Sequence, residues 1–406
     1  MINQQILWVI NLRSVTLARL GINFLVLVSL TSCASHVATS SKISTSTPSI
    51  PTTSTLDAYP SCTITNPKVS DPTSIHGLFV NAPNLATQPD QQLILKYVLS
   101  DPTVCGANIV VPWSSIDVST VNSQKYDFTQ LDSWIKPWED AKKLVNLIVW
   151  GVDEKTTQTS TPATPQYVLD QVNTVSCTNT TPPTPVYWQS PYVSNWENFL
   201  KALVDHINND SSIGYLRFGI GAGGENYLEN SFNSECQTKW NQYNYRSNFP
   251  TFTTSMINFE KSLNTKKQIM VGINTLDGSD QFPDSVANLA VQNGFGFGTQ
   301  GLSQSAISDH SLSKPCYANW CALFAQYAGK VPLEVQTYEK SDPTGNGPVG
   351  SLVPLLSFAL SLKTQVFELY PEEWLIADDP NWPGYSDYHI QYKTALQNAA
   401  QIVGET

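Results

Sequence analysis

The sequence predicts a single closed (β/α)8 barrel, an α/β TIM-barrel architecture, behind an extended N-terminal tether. From Ile75 onward, short apolar or β-branched runs alternate eight times with amphipathic helical stretches. The strand runs are apolar on both sides, as parallel strands covered on both faces should be. The turn after the first run, Asn81-Ala82-Pro83-Asn84, lacks the glycine fingerprint of a doubly wound nucleotide-binding sheet. Eight such units in roughly 330 residues is the arithmetic of the barrel.

The strand runs, in order, are Ile75–Asn81, Ala107–Trp113, Val145–Gly151, Gly214–Gly221, Gln268–Asn274, Phe295–Gln300, Val331–Tyr338 and Thr364–Tyr370. The helical stretches between and after them are Gln91–Leu99, Phe128–Lys142, Ser194–Ile207, Phe252–Leu263, Pro283–Gln292, Asn319–Ala328, Gly350–Leu362 and His389–Val403. The third helix shows the period most clearly, with Trp196, Phe199, Leu200, Leu203 and Ile207 on one face.

Composition narrows the partners. Formal charge is −11, with charged residues only 14% of the chain. Counterion release on nucleic acid or an anionic membrane needs clustered Lys or Arg, which an acidic chain does not offer. Eleven Trp, 17 Tyr and 15 Phe suit a neutral, stackable ligand such as a sugar. The five histidines are scattered with no metal-binding spacing, so neither a metal nor another cofactor is expected. A monomer is expected.

Arg13 and Arg19 precede the apolar run Leu20 to Leu30, about the length of a secretory h-region and short for a membrane span. Leu30-Thr31-Ser32-Cys33 then resembles the bacterial lipoprotein box. That resemblance implies that residues 1–32 are a leader and that Cys33 carries a lipid. The protein would then be exported and anchored to the membrane through Cys33 alone. Of the 27 residues from Ala34 to Pro60, 16 are Ser, Thr or Pro, which cannot bury enough surface to offset chain entropy. Residues 33–60 are thus expected to be a flexible tether and 61–406 the barrel.

Six further cysteines follow: Cys62, Cys105, Cys177, Cys236, Cys316 and Cys321. An even number in an exported chain suggests disulfides, though six allow 15 connectivities. The long loops after the third and fourth strands hold Cys177 and Cys236 on one face of the barrel, where a bridge would pin both over the site. Cys62 with Cys105, and Cys316 with Cys321, are the remaining pairs to expect.

Function in this architecture sits on the loops after the strand C-termini. The most informative stretch is Tyr215-Leu216-Arg217-Phe218-Gly219-Ile220-Gly221-Ala222-Gly223-Gly224-Glu225-Asn226. An apolar strand runs into a glycine-rich exit and presents one carboxylate at the mouth. No Lys-Ser or Lys-Thr follows, so it is not a phosphate loop.

A glutamate at the end of the fourth strand resembles the clan A glycoside hydrolases, whose acid/base glutamate stands there. The eightfold alternation extends the resemblance over Ile75–Val403. That clan has Asn immediately before this glutamate; here Gly224 precedes Glu225 and Asn226 follows. The clan's nucleophile is a glutamate at the end of the seventh strand, where this chain reads Val331-Pro332-Leu333-Glu334-Val335-Gln336-Thr337-Tyr338-Glu339. Glu334 lies early in that strand, and Gln336 and Thr337 stand where the nucleophile is expected. Glu334 is the favoured partner of Glu225, with Glu368 on the eighth strand second and Glu339 third. Such hydrolysis needs two carboxyls, one to donate a proton and one to attack or to activate water. Glu334 also has a bland role open to it, an internal ion pair with Arg217.

Aromatic faces stack on pyranose rings while polar neighbours take the hydroxyls. Trp113, Trp150, Tyr227, Tyr338, Tyr370 and Trp374 fall at or just past the strand ends, and Trp188 lies in the long third loop. Asn81, Asn226, Asn274, Gln300 and Gln336 are placed for hydroxyls. The sequence therefore points to a glycosidase acting on an extracellular oligo- or polysaccharide. The displaced second glutamate keeps a rival open, a carbohydrate-binding lipoprotein on a degenerate glycosidase barrel. A barrel acting on a substrate other than a sugar is a third.

Overall fold

The computed structural model describes residues 75–405, apart from 83–90, 154–161, 178–182, 230–231, 280, 309–319 and 338. The leader, Cys33 and the tether lie outside the described residues, as do Cys62, Cys316 and Tyr338.

Eight parallel strands close on themselves in sequential order, each bonded to the next and the last to the first. They are β1 (Gly77–Asn81), β2 (Val104–Pro112), β3 (Leu144–Trp150), β4 (Ile213–Phe218), β5 (Gln268–Gly272), β6 (Gly296–Leu302), β7 (Leu333–Thr337) and β8 (Val366–Leu369). One principal helix follows each: α1 (Gln91–Val98), α2 (Thr129–Asp140), α3 (Ser190–Ile207), α4 (Tyr245–Ser262), α5 (Gln281–Gln292), α6 (Trp320–Tyr327), α7 (Leu352–Ser361) and α8 (Tyr385–Glu405). The predicted barrel is the observed one.

Four helices, α3, α4, α5 and α8, begin earlier than the sequence pattern indicates, and in α3 and α4 proline is the reason. Pro191 falls in the first turn of α3, where a missing N–H costs nothing, so the helix starts at Ser190 rather than Ser194. Pro250 lies inside α4, which starts at Tyr245 rather than Phe252. Burial of Tyr245 and Phe249 against the core holds the turns around that proline in place.

Two cores share the strands. The larger lies between strands and helices. The smaller fills the lower barrel interior with Ile75, Phe79, Cys105, Leu144, Tyr215, Met270 and Val366. Side chains alternate along a strand, so Tyr215 and Arg217 on β4, Glu334 and Gln336 on β7, and Val366 and Glu368 on β8 share the interior face. The upper interior is therefore polar, resting on an apolar floor. β8 pairs with β7 such that Glu368 stands beside Gln336, and β1 sets Phe79 beside Glu368.

Cys177 and Cys236 form the expected bridge between the third and fourth loops. Cys105 and Cys321 each take part in a further disulfide. Lys239 Nζ donates to the Ser176 carbonyl at 2.8 Å and the Tyr187 hydroxyl to the Leu228 carbonyl at 3.1 Å, so the two loops are tied at several points.

Buried carboxyls outside the barrel interior set the pH response. Glu260 on α4 is 1% exposed and neither of its oxygens has a hydrogen-bond partner among the described residues. Burial alone pushes its carboxyl well above the usual range. Burial also raises Glu373, to about 7, against the hydrogen bonds it accepts from Ser341. A carboxyl raised in the fold keeps its proton there while the unfolded chain loses it above about pH 4.3. Stability is then present at acid pH and falls as pH rises from that point through the folded values. Glu260→Met is expected to raise the unfolding free energy by about 1–3 kcal/mol near pH 8, and by less near pH 5. Denaturant melts at the two pH values check this; a gain that grows toward acid pH would contradict it.

Candidate active site

The glycine-rich exit of β4 is a tight fold-back. Gly221 N–H bonds to the Glu225 carbonyl at 2.9 Å, Ala222 N–H to the Tyr227 carbonyl at 3.0 Å and Gly223 N–H to the Val152 carbonyl at 3.0 Å. Gly223 and Gly224 both take left-handed backbone, with φ of 66° and 70°, which side chains rarely adopt. A Cβ on Gly224 would also strike Ile148 and Trp150. Two consecutive glycines thus return Glu225 over the barrel, where it is 1% exposed.

One guanidinium organises the interior beneath it. Arg217 Nη1 donates to Glu334 Oε2 at 2.9 Å and to Glu368 Oε1 at 3.3 Å. Its Nη2 donates to Gln336 Oε1 at 3.2 Å and Glu368 Oε2 at 3.3 Å, and lies 3.6 Å from Glu225 Oε1. Glu368 therefore grips the arginine with both oxygens and also accepts the Tyr215 hydroxyl. Tyr215 is fixed in turn: its N–H donates to Asn146 Oδ1 at 3.1 Å, and Asn146 Nδ2 donates to Asn108 Oδ1 at 2.8 Å. Glu334 differs from Glu368, because its Oε1 has no hydrogen-bond partner among the described residues.

The carboxyls have room because small residues face them. A Cβ on Gly272 of β5 would overlap Glu225 Oε2, and one on Gly298 of β6 would overlap Glu334 Oε2. Gly298→Ala is expected to push Glu334 off Arg217 Nη1 and to cost about 1–3 kcal/mol, the usual penalty for overpacking. A crystal structure of the variant with the 2.9 Å contact intact would contradict this.

Electrostatics follow from the count of charges. Three buried carboxyls share one cation, and removing all of them from water favours their neutral forms. Burial pushes Glu334 well up, Glu368 and Glu225 push the same way, and Arg217 opposes them. Burial also raises Glu368, against the pull of Arg217 and Tyr215. Burial works against the Arg217 charge, yet Glu368, Glu334 and Glu225 hold its ionisation well above the ordinary value. The cluster thus holds a proton to higher pH than ordinary carboxylates would.

The sequence-derived candidates divide into those at the cluster and those elsewhere. Glu225, Glu334, Glu368 and Gln336 meet at Arg217, so the ion pair foreseen between Glu334 and Arg217 forms. Glu339 is exposed and outside the cluster. Trp150 is half-buried at the end of β3 beside Gly224, and its Nε1 has no partner among the described residues. Asn81 is buried at the end of β1. Gln300 on β6, Tyr227 in the β4 exit loop and Tyr370 just past β8 are half-buried. Asn274 accepts the Asn226 N–H at 3.3 Å, while the Asn226 side chain accepts from Thr253 of α4 at 3.2 Å.

Two aromatics, Trp113 and Trp374, are misplaced by the sequence reading. Trp113 is fully buried outside the barrel, stacked on Phe199 and edge-on to Tyr192 and Trp196, with Nε1 bonded to Asp117 at 2.8 Å. β2 ends at Pro112, and the short 3-10 turn beyond turns the indole into the helix layer. Trp374 is fully buried in the short helix Glu372–Asp378, donating to Thr103, which precedes β2. Trp188 lies in the third loop as expected, half-buried against Trp240. Tyr215, Asn108 and Asn146 were missed; the available signal was an isolated polar or hydroxyl-bearing side chain within an apolar strand.

No family model matches the sequence, and no curated protein does. Similar solved structures exist. The catalytic domain of a beta-amylase from Paenibacillus polymyxa has a TM-score of 0.51 at 10% identity, over 80% of this chain and 98% of that one. A glycosylated endo-beta-1,4-xylanase of glycoside hydrolase family 10 from Gloeophyllum trabeum has a TM-score of 0.47 at 12% identity, over 83% and 99%. A thermostable mutant of a xylanase from Cellvibrio japonicus has 0.45 at 8%, over 80% and 97%. The beta-amylase likeness shows a shared barrel fold.

Proposed function

We propose that this protein is a glycoside hydrolase acting on an extracellular oligo- or polysaccharide by a two-carboxylate mechanism. In this reading it is exported, held to the membrane by a lipid on Cys33, and monomeric. The observation that carries the reading is the placing of Glu225 and Glu334 against one guanidinium at the barrel mouth. One guanidinium plus two such contacts keeps the carboxyls inside the upper limit of roughly 9.5 Å for a working pair.

Glu225, on the loop, donates its proton to the glycosidic oxygen as the bond to the anomeric carbon breaks. Glu334, on the strand, either attacks that carbon or takes a proton from the attacking water. Burial favours the protonated form of Glu334, so a proton is at hand beside Arg217. The move of that proton to Glu225 leaves Glu334 as the carboxylate paired with Arg217, ready to react. Glu368 stays in its two-point grip on Arg217 and is a positioning residue. Trp150 and Gln336 are the wall groups best placed to meet a sugar.

A binding lipoprotein is the second reading. It is favoured by the exposure of Glu225 and Glu334, 1% and 0%, and by the pairing of both with Arg217. Reducing-end release from a panel of neutral plant, fungal and bacterial polysaccharides separates the two. Turnover of any one supports the hydrolase, whereas saturable binding with no release across the panel sinks it.

A further inference from the structure

A cavity of about 430 Å3 opens between the starts of α4 and α5, on the same face of the barrel as Glu225. Its size lies within the range of small-ligand sites, roughly 300–1,000 Å3. Phe282 and Leu276 form an apolar floor, and the exposed Gln281 and Ser285 stand at the rim.

The charges there are already spent on each other. Arg246 Nε contacts Asp277 Oδ2 at 2.7 Å, and its Nη1 donates to Asn241 Oδ1 at 2.7 Å. The hydroxyl of buried Tyr245 donates to Asp277 from behind at 2.6 Å, and the guanidinium lies 4.7 Å over the Tyr245 ring. Asp277 and Gly278 take consecutive left-handed conformations, φ 56° and 70°, in the Asp-Gly turn that presents this carboxylate. An anion or a cation finds no unpaired counter-charge from this pair. A neutral molecule with one apolar face and several hydroxyls finds a small apolar floor at Phe282 and Leu276, and an amide and a hydroxyl at the rim to bond.

One side chain joins this cavity to the carboxyl cluster. Thr253 lines the cavity wall and donates to Asn226 Oδ1 at 3.2 Å; Asn226 is the neighbour of Glu225. Asn226 Nδ2 is buried and has no partner among the described residues.

We infer that this cavity is a second saccharide site, which holds one or two units of a neutral glycan on the Phe282 floor between α4 and α5. The choice of a sugar rests on the hydrolase reading; the site itself does not use Glu225 or Glu334.

The test uses xylotetraose, maltotetraose and cellotetraose as probes, with tetragalacturonate as the charged control. Methyl resonances of Leu276 and Val286 in the native protein are expected to shift with at least one neutral probe and not with the control. Ser285→Trp, which fills the rim, is expected to weaken that binding at least tenfold. It leaves hydrolysis of any cleaved aryl monoglycoside unchanged. Methyl shifts keep this site even where the polysaccharide panel shows no release, which overturns the hydrolase alone. Turnover with no methyl shift from any neutral probe overturns this site and keeps the hydrolase. Equal shifts from tetragalacturonate also overturn it.

Discussion

Arg217→Met is expected to destabilise the barrel by about 3–5 kcal/mol near pH 7.5, the cost of stranding buried charges without their partner. Three carboxyls at 0–1% exposure lose the guanidinium that contacts them all. The direction with pH follows from the same geometry. With the cation gone, the carboxyls hold their protons to still higher pH in the fold, while the unfolded chain loses them above about pH 4.3. The deficit against the native protein therefore widens from pH 5 to pH 8. Denaturant melts across that range measure it; a deficit independent of pH would mean that the arginine contributes packing rather than charge.

Glu334→Gln and Glu368→Gln should separate the two strand carboxyls. Glu334 Oε1 lacks a partner, whereas both oxygens of Glu368 are committed to Arg217 and one also to Tyr215. Loss of the reacting carboxylate removes an acid–base contribution of about 100- to 10,000-fold, so Glu334→Gln is expected to abolish measurable turnover. Glu368→Gln is expected to lower kcat far less. It also removes a charge that holds the proton on Glu334, so the acid limb of the pH–rate profile moves to lower pH. Equal losses of turnover with no shift of that limb would show that Glu368 belongs to the chemistry.

The barrel was legible in the sequence because parallel strands buried on both faces and helices with an apolar stripe leave different periods. Helix starts were less legible where a proline looked like a boundary: Pro191 and Pro250 both lie inside helices. The carboxylates were legible for a different reason. Glu334 and Glu368 stand in apolar strands, where a charge must face a partner, and the glycines before Glu225 mark a backbone turned back on itself. What the linear pattern does not contain is where a ring goes after a strand ends. Trp113 and Trp150 both close an apolar strand run, yet the first turns outward into the helix layer and the second stays at the mouth. Only the geometry of the following turn distinguishes them. The grip of Glu368 on Arg217 was equally invisible, since it joins residues 151 positions apart across the barrel.

The structure also gives the long loops a role. The Cys177–Cys236 bridge and the Lys239–Ser176 and Tyr187–Leu228 contacts bind the third loop to the segment carrying Glu225.

In the proposed hydrolysis, proton donation by Glu225 breaks the glycosidic bond. It is tested most directly by kcat and the dissociation constant of Glu225→Gln on the oligosaccharide that the native protein cleaves. kcat is expected to fall about 100- to 10,000-fold while affinity changes only a few-fold. Turnover within a few-fold of the native protein would contradict it.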